Sequence, residues 1–232
     1  QMNYFPYLYW DPTLLLMIPG IIVAIWAQAR VNSAYNTYSR MPVMSGITGR
    51  EMAARILSSH GIQGVQIDVS SGVLTDSYHP LKRTLSLSQA NYSGSSVAAV
   101  AVAAHECGHA LQHGSGYLPL KIRNAIAPVV SFASYLLWPL LIFGILLGYA
   151  NTLSIVVYIF LGIFVFQVIT LPVEFNASRR ALVALSAQNM LTEEELYGAR
   201  KMLNAAALTY VAATLTALLN VLRFAMLSNR RK

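Results

Sequence analysis

From Asn124 to Val173 the chain runs for fifty residues without a single charged side chain. A hydrocarbon layer about 30 Å thick is crossed by roughly 20 helical residues, so this stretch is too long for one crossing and fits two. Gly148-Tyr149-Ala150-Asn151-Thr152 divides it, which predicts a transmembrane hairpin of two helices, Ala125 to Leu147 and Leu153 to Pro172. A short uncharged loop returns the chain to the membrane face it left. Whatever precedes Asn124 and whatever follows Val173 must therefore meet on one side of the bilayer.

The rest of the composition agrees with a membrane protein. Hydrophobic residues make up 56% of the 232-residue chain and charged residues only 11%, too apolar for an ordinary soluble domain. The net charge of +7 raises nucleic acid as a partner, but the basic residues are scattered and several flank apolar segments, which fits a lipid surface and excludes nucleic acid. Met2 to Trp10 is rich in Tyr, Phe and Trp, the composition of an interfacial aromatic belt, and Thr13 to Ala29 is uncharged and long enough for a first span. No basic residue precedes that run, so it reads as a retained anchor rather than a signal peptide. Asn204 to Leu222 is again uncharged but rich in Ala and Thr, a weaker fourth span or a helix covering the site.

The expected organisation is thus a belt and first span over 1–29, a polar α+β domain over 30–123, the hairpin over 124–173, a helix over 174–203, and an apolar helix with a basic tail over 204–232. Within the polar domain, Thr48-Gly49-Arg50-Glu51 fits a capping box before an apolar stripe of Met52, Ala53, Ile56 and Leu57. Val65 to Val69 and Leu85 to Ser88 alternate as strands, with a turn at Ser70-Ser71-Gly72 between them. Ser95 to His113 reads as a buried, alanine-rich helix. The fold class is a mainly α integral membrane protein, three or four transmembrane helices with a small zincin-like α+β domain.

That buried helix carries the chemistry: His105-Glu106-Cys107-Gly108-His109. Four residues advance a helix by slightly more than one turn, so His105 and His109 share a face and can grip one ion. Zinc held by two imidazoles and a carboxylate keeps a position for water, and Glu106, one step round the helix, can serve as base: the HExxH arrangement of metalloproteases. The hairpin brings Glu174 back to the same membrane edge, and Glu174 is the expected third ligand; otherwise it is a helix-entry carboxylate after Pro172. Glu193 to Glu195 read as a solvated helix start after Thr192, and Asp68 and Asp76 as turn or strand residues. His113 extends the motif face by one turn and reads as a neighbour of the site, not a ligand. The single cysteine, Cys107, rules out an intrachain disulfide and reads as a small core residue.

With these segments in order, the chain resembles the bacterial YugP-like neutral zinc metallopeptidases, which are similar in pattern to the HtpX-type membrane proteases. The resemblance rests on Thr48–Leu57, Leu74–Pro80, Leu85–Ser88, the zinc motif and Leu171–Ser178. It implies one zinc per chain on His105, His109 and Glu174, and peptide or membrane-protein substrates, with quality control of membrane proteins as a role. Two positions depart from the pattern: Ser77 and His79 stand where a histidine and an aspartate are expected, and Ser178 stands where many zincins place a carboxylate, so another group should orient the histidines. Donors to a developing oxyanion could be Arg179, His79, Tyr78 or His113, and Thr84 to Ser88 is the expected free edge for a substrate strand. Rival readings are a site-2-type intramembrane protease and a non-enzymatic zinc-containing assembly or adaptor protein within a membrane complex. Basic flanks after the first span and before the second place the polar domain in the cytoplasm of a multi-pass cell-membrane protein.

Overall fold

The computed structural model describes residues 11–72, 75–147 and 151–229. The expected aromatic belt at Met2–Trp10, the centre of the hairpin loop and the end of the basic tail lie outside the described residues.

A 3-10 turn at Pro12–Met17 opens into helix α1, Ile18–Tyr38. Asp11 caps the turn, accepting from the Thr13 amide at 3.0 Å and from its hydroxyl at 2.7 Å. The helix continues past Ala29 into the region expected to be polar domain, because the residues after Arg30 still pack: Tyr35 and Tyr38 lie against the domain core. Helix α2, Gly49–Ser59, begins with the expected capping box, in which Glu51 N donates to Thr48 Oγ1 at 3.2 Å and Thr48 N to Glu51 Oε2 at 2.9 Å. Its predicted apolar face is fully used, with Met52, Ala53 and Ile56 wholly buried.

Three short strands follow: β1, Gln66–Ser70; β2, Ser77–His79; and β3, Thr84–Ser88. Their order is β1-β3-β2, with β3 parallel to β1 and antiparallel to β2. This corrects the expectation that Thr84 to Ser88 is a free edge. The β3 backbone pairs with β1 along one edge and with β2 along the other, and its face bearing Leu85 and Leu87 is wholly buried. Ser70-Ser71-Gly72 accordingly does not turn β1 directly into β3; the chain first passes through β2. Among the described residues the unpaired edges are those of β1 and β2.

Short helix α3, Gln89–Ser93, leads to α4, Val97–Gly114, which carries the zinc motif and is capped by Ser96 on the Ala99 amide at 3.2 Å. Thirteen of its eighteen residues are buried. Its small side chains let neighbouring backbones approach closely: a Cβ on Gly108 would run into the Ala177 carbonyl, so the crossing needs glycine at that place.

Helix α5, Leu118–Leu146, and helix α6, Thr152–Ala187, form the hairpin, and α7, Glu193–Asn229, closes the bundle. Pro172 does not end the hairpin's second helix. It lies inside α6, and the expected boundary between 173 and 174 falls within one continuous helix, whose next residues Val173, Glu174 and Ala177 are buried. One missing backbone hydrogen bond costs less than unwinding a segment packed between α4 and α7. At 36 residues α6 is about 54 Å long, so it crosses a hydrocarbon core of about 30 Å and still projects into the polar domain. Helix α7 does the same in reverse. At its start Glu193 and Glu194 are exposed, as expected, but Glu195 is only 2% exposed, accepting from Thr192 N at 2.8 Å and from Met44 N at 2.6 Å, so it ties the loop after α1 to α7.

Four helical segments are long and apolar enough to cross a membrane: Pro12–Tyr38, Leu118–Gly144, Thr152–Ala187 and Glu193–Asn229. Helix α4 is not one of them. For the fourth crossing, left open by the sequence, α7 has the length and hydropathy of a span, and its Arg223 donates to Asp11 at 3.0 Å to pin the ends of α7 and the first span together. The principal core lies in the polar domain around α2, β3 and α4, and a smaller one sits between the hairpin and α7, where Phe160 of α6 and Phe224 of α7 stack at 4.9 Å. Val129, Phe132, Tyr135, Trp138 and Tyr158 are exposed around the hairpin, as suits side chains facing lipid.

Candidate metal centre

Helices α4 and α6 cross at Gly108 and Ala177, and the closeness of that crossing sets the geometry of the site. One turn of α4 presents His105 and His109, their rings edge to face with centroids 4.8 Å apart. From the facing helix, Glu174 Oε2 lies 3.3 Å from His105 Nε2 and 3.6 Å from His109 Nε2. All three donor atoms fall within 4.8 Å of one another.

These donors fit zinc. Tetrahedral ligands each about 2.0–2.1 Å from one zinc ion stand roughly 3.3 Å apart, close to the separations of Glu174 Oε2 from the two histidine nitrogens. Glu174 is 2% exposed, and its Oε2 is a buried oxygen with no hydrogen-bond partner among the described residues, an arrangement that a cation between it and the imidazoles would resolve. The donor set of two nitrogens and one carboxylate oxygen suits zinc, and it leaves a coordination position facing a cavity.

The orientation of the histidines has a definite source. Gln112, wholly buried on α4, donates from Nε2 to the Val173 carbonyl at 2.7 Å and to Asn176 Oδ1 at 3.0 Å, so its Oε1 faces His109 Nδ1 at 3.1 Å. An amide fixed in this way makes His109 Nδ1 the donor and leaves Nε2 with its lone pair toward Glu174. Asn176 is held in turn by Arg180 Nε at 2.8 Å. His105 Nδ1 meets Ser178 Oγ at 3.2 Å. Ser178 therefore contacts the histidine itself, contrary to the expectation that its hydroxyl left the ring to another partner. Burial opposes charge on His109, but the nearby carboxylates of Glu174 and Glu106 outweigh this and raise its pKa.

The cavity beside the donors has a volume of about 210 Å³ and is lined by Glu106, Tyr78, Asp76, Arg123 and Tyr210 among others. Glu106 is 8% exposed and shares this space with the three donors. Of the four expected oxyanion donors, Tyr78 lines the cavity and hydrogen-bonds His113 Nδ1 at 2.9 Å, so His113 stands behind Tyr78. The other two are not brought in: His79 accepts from Lys82 N at 3.3 Å in the turn after β2, and Arg179 is exposed on the outer face of α6. Arg123, and not Arg179, lies beside the donors, with its guanidinium 3.7 Å from Glu174 Oε1 and its Nε buried without a partner among the described residues. The sequence presents Arg123 as the basic flank of the second span and Tyr210 as one polar residue in an apolar helix, and no local spacing marks either. Asp76 anchors the start of β2, accepting from Ser88 N at 2.8 Å and Asn91 Nδ2 at 2.9 Å. Cys107 points away into the core, where burial pushes its thiol far up and keeps it neutral.

A membrane-anchored helical fold with an HExxH helix facing a glutamate on a second helix defines the zinc metallopeptidase class. The chain belongs to the family described as "Putative neutral zinc metallopeptidase", whose model matches residues 13–229. It is 44% identical over 214 residues to a Bacillus subtilis (strain 168) protein described as "Putative membrane protease YugP", covering 92% of this chain and 95% of that one. No solved structure matches.

Proposed function

We propose that this protein is a membrane-embedded zinc endopeptidase that hydrolyses peptide bonds with Glu106 as general base and His105, His109 and Glu174 as metal ligands. The observation that carries this reading is the convergence of three donors, with no fourth among the described residues, beside a cavity that also contains Glu106. A structural zinc site is normally closed by four protein ligands, so the open arrangement speaks against a purely structural role in an assembly factor. The intramembrane alternative is disfavoured because α4 is not a candidate span.

Zinc bound there supplies Lewis-acid polarisation of the scissile carbonyl and lowers the pKa of a water to about 7. Glu106 takes the proton from the attacking water and delivers it to the departing amine. Arg123 and Tyr210, from the cavity wall, are the proposed donors to the developing oxyanion, with Tyr78 on the opposite wall. The outer edge of β2 has no partner strand among the described residues, and Ser77, Tyr78 and Pro80 reach the cavity, so an extended substrate can add to β2 through backbone hydrogen bonds. Recognition through backbone favours broad specificity, as suits disposal of damaged membrane proteins.

The test is zinc analysis of the purified protein beside cleavage of casein. One zinc per chain is expected, with cleavage lost on chelation and restored by zinc. Persistence of cleavage after complete removal of the metal would overturn the mechanism.

The proposed orientation puts the polar domain in the cytoplasm, following the basic flanks at Arg30, Arg40, Lys121 and Arg123. With Cys107 replaced by alanine, a cysteine at Asn151 should react with an impermeant maleimide in intact cells, and one at Ser71 only after lysis. The reverse labelling pattern places the active site outside.

A further inference from the structure

A second cavity, about 370 Å³, lies within the spans and takes no part in the proposed chemistry. Helices α1 and α6 both pack along α7 but hardly touch each other, so a cleft opens between them. Its floor is the face of α7 that carries Ala213, Thr216, Ala217 and Asn220; its walls include Gln28 of α1 and Gln167 of α6.

The lining is unusual for a lipid-facing groove. Hydrocarbon chains offer no hydrogen-bond partner, and polar groups at this depth are placed where another group can meet them. Gln28 donates its amide nitrogen to Asn32 at 2.9 Å and Asn220 donates to the Thr216 carbonyl at 3.0 Å, which leaves each side-chain oxygen with no partner among the described residues. Gln167 makes no side-chain hydrogen bond among those residues. Small residues that admit a neighbouring backbone, interspersed with hydroxyls and amides that can bond it, are the features by which transmembrane helices associate.

The cleft and the metal cavity share no lining residue but border neighbouring stretches of α6 and α7. Gln167 and Glu174 are seven residues apart on α6, two turns on the same face, a rise of about 10 Å. On α7, Thr209 borders the cleft and Tyr210 borders the metal cavity. A helix seated in the cleft would emerge beside the three metal donors, with its flanking segment close to β2. We propose that this cleft is the docking site for a transmembrane helix of a membrane-protein substrate, one whose span carries small and hydrogen-bonding residues. The proposal rests on the peptidase reading and names its substrate class.

The experiment uses the full chain in proteoliposomes, with Glu106→Gln to stop turnover and Cys107→Ala to remove the native thiol. A single cysteine is placed in the cleft, by Ala213→Cys, or on the lipid face of α5, by Tyr135→Cys, where the native side chain is 81% exposed. The probes are two synthetic single-span peptides with one mid-span cysteine each, one span containing Gly, Ser and Asn, the other entirely leucine. Oxidation should cross-link the polar span to Ala213→Cys at least fivefold more than to Tyr135→Cys, and more than the leucine span. Equal yields at both positions, absence of a cross-link to the polar span, or a predominant cross-link between two copies of the protein would each overturn the proposal, the last by making the cleft a dimer contact.

A second arm uses catalytically intact protein and one cleavable peptide, free or fused to the polar span. Ala213→Trp, which fills the cleft, should lower the ratio of kcat/KM for the fused substrate to that for the free peptide by about tenfold. An unchanged ratio overturns the docking site. If the wild type cleaves neither substrate the peptidase reading fails, and the cross-linking still decides what the cleft binds.

Discussion

Glu106→Gln is expected to lower peptide cleavage by about 100-fold to 10,000-fold, the range for loss of a positioned general base, with zinc content unchanged. Glutamine keeps the size and burial of the side chain, which is 8% exposed, so packing in α4 should survive. The amide cannot take a proton from water. Nor is Glu106 placed as a ligand: the three donors that converge are His105, His109 and Glu174. Parallel measurement of kcat and of zinc per chain separates these roles. Loss of zinc in this variant would make Glu106 a ligand, and retention of full activity would move the base elsewhere.

The second large effect is expected at Glu174. Replacement by alanine or by the isosteric glutamine should weaken zinc binding by more than about 100-fold, beyond the 10–100-fold typical when only a group behind the ligands is lost. Alanine also removes the carboxylate facing Arg123 and leaves a gap in the α4–α6 crossing, so glutamine is the more informative change. Thermal denaturation reads this without turnover. Zinc at 100 times its dissociation constant stabilises the wild type by about 2.7 kcal/mol, and the glutamine variant should show no such zinc-dependent rise at the same concentration. If Glu174→Gln binds zinc as tightly as the wild type, the third ligand is another residue.

Much of this site was legible because its two halves are encoded locally. The i, i+4 spacing of His105 and His109 requires only that Ser95 to His113 be a helix, and alanine-rich composition makes it one. Glu174 was reachable by a second short argument: a charge-free stretch of fifty residues must cross twice and come back to the side where it began. The cavity wall was not legible in the same way. Arg123 and Tyr210 come from helices α5 and α7, and only the packing of both against α6 brings them to Glu174. Arg179, adjacent in sequence to the EFNAS segment, lies on the exposed side of the same helix, since five residues beyond Glu174 a helix has turned well away from it.

The sequence by itself determined the membrane character, the pair of histidines on one helical face, the neighbouring glutamate and the return of the chain to the same bilayer edge. Each follows from periodicity, length or composition over a contiguous segment, where backbone geometry alone relates one residue to the next. Tertiary structure decided the rest: β3 as the central strand, α6 as one helix through Pro172, Glu195 as a buried tie to Met44, and Gln112 as the group that sets the His109 tautomer. These depend on which surfaces meet across long separations in the chain. A glutamine that is wholly buried and a glutamine on the surface are the same letter in the sequence, and only the neighbours supplied by Val173 and Asn176 make Gln112 part of a metal centre.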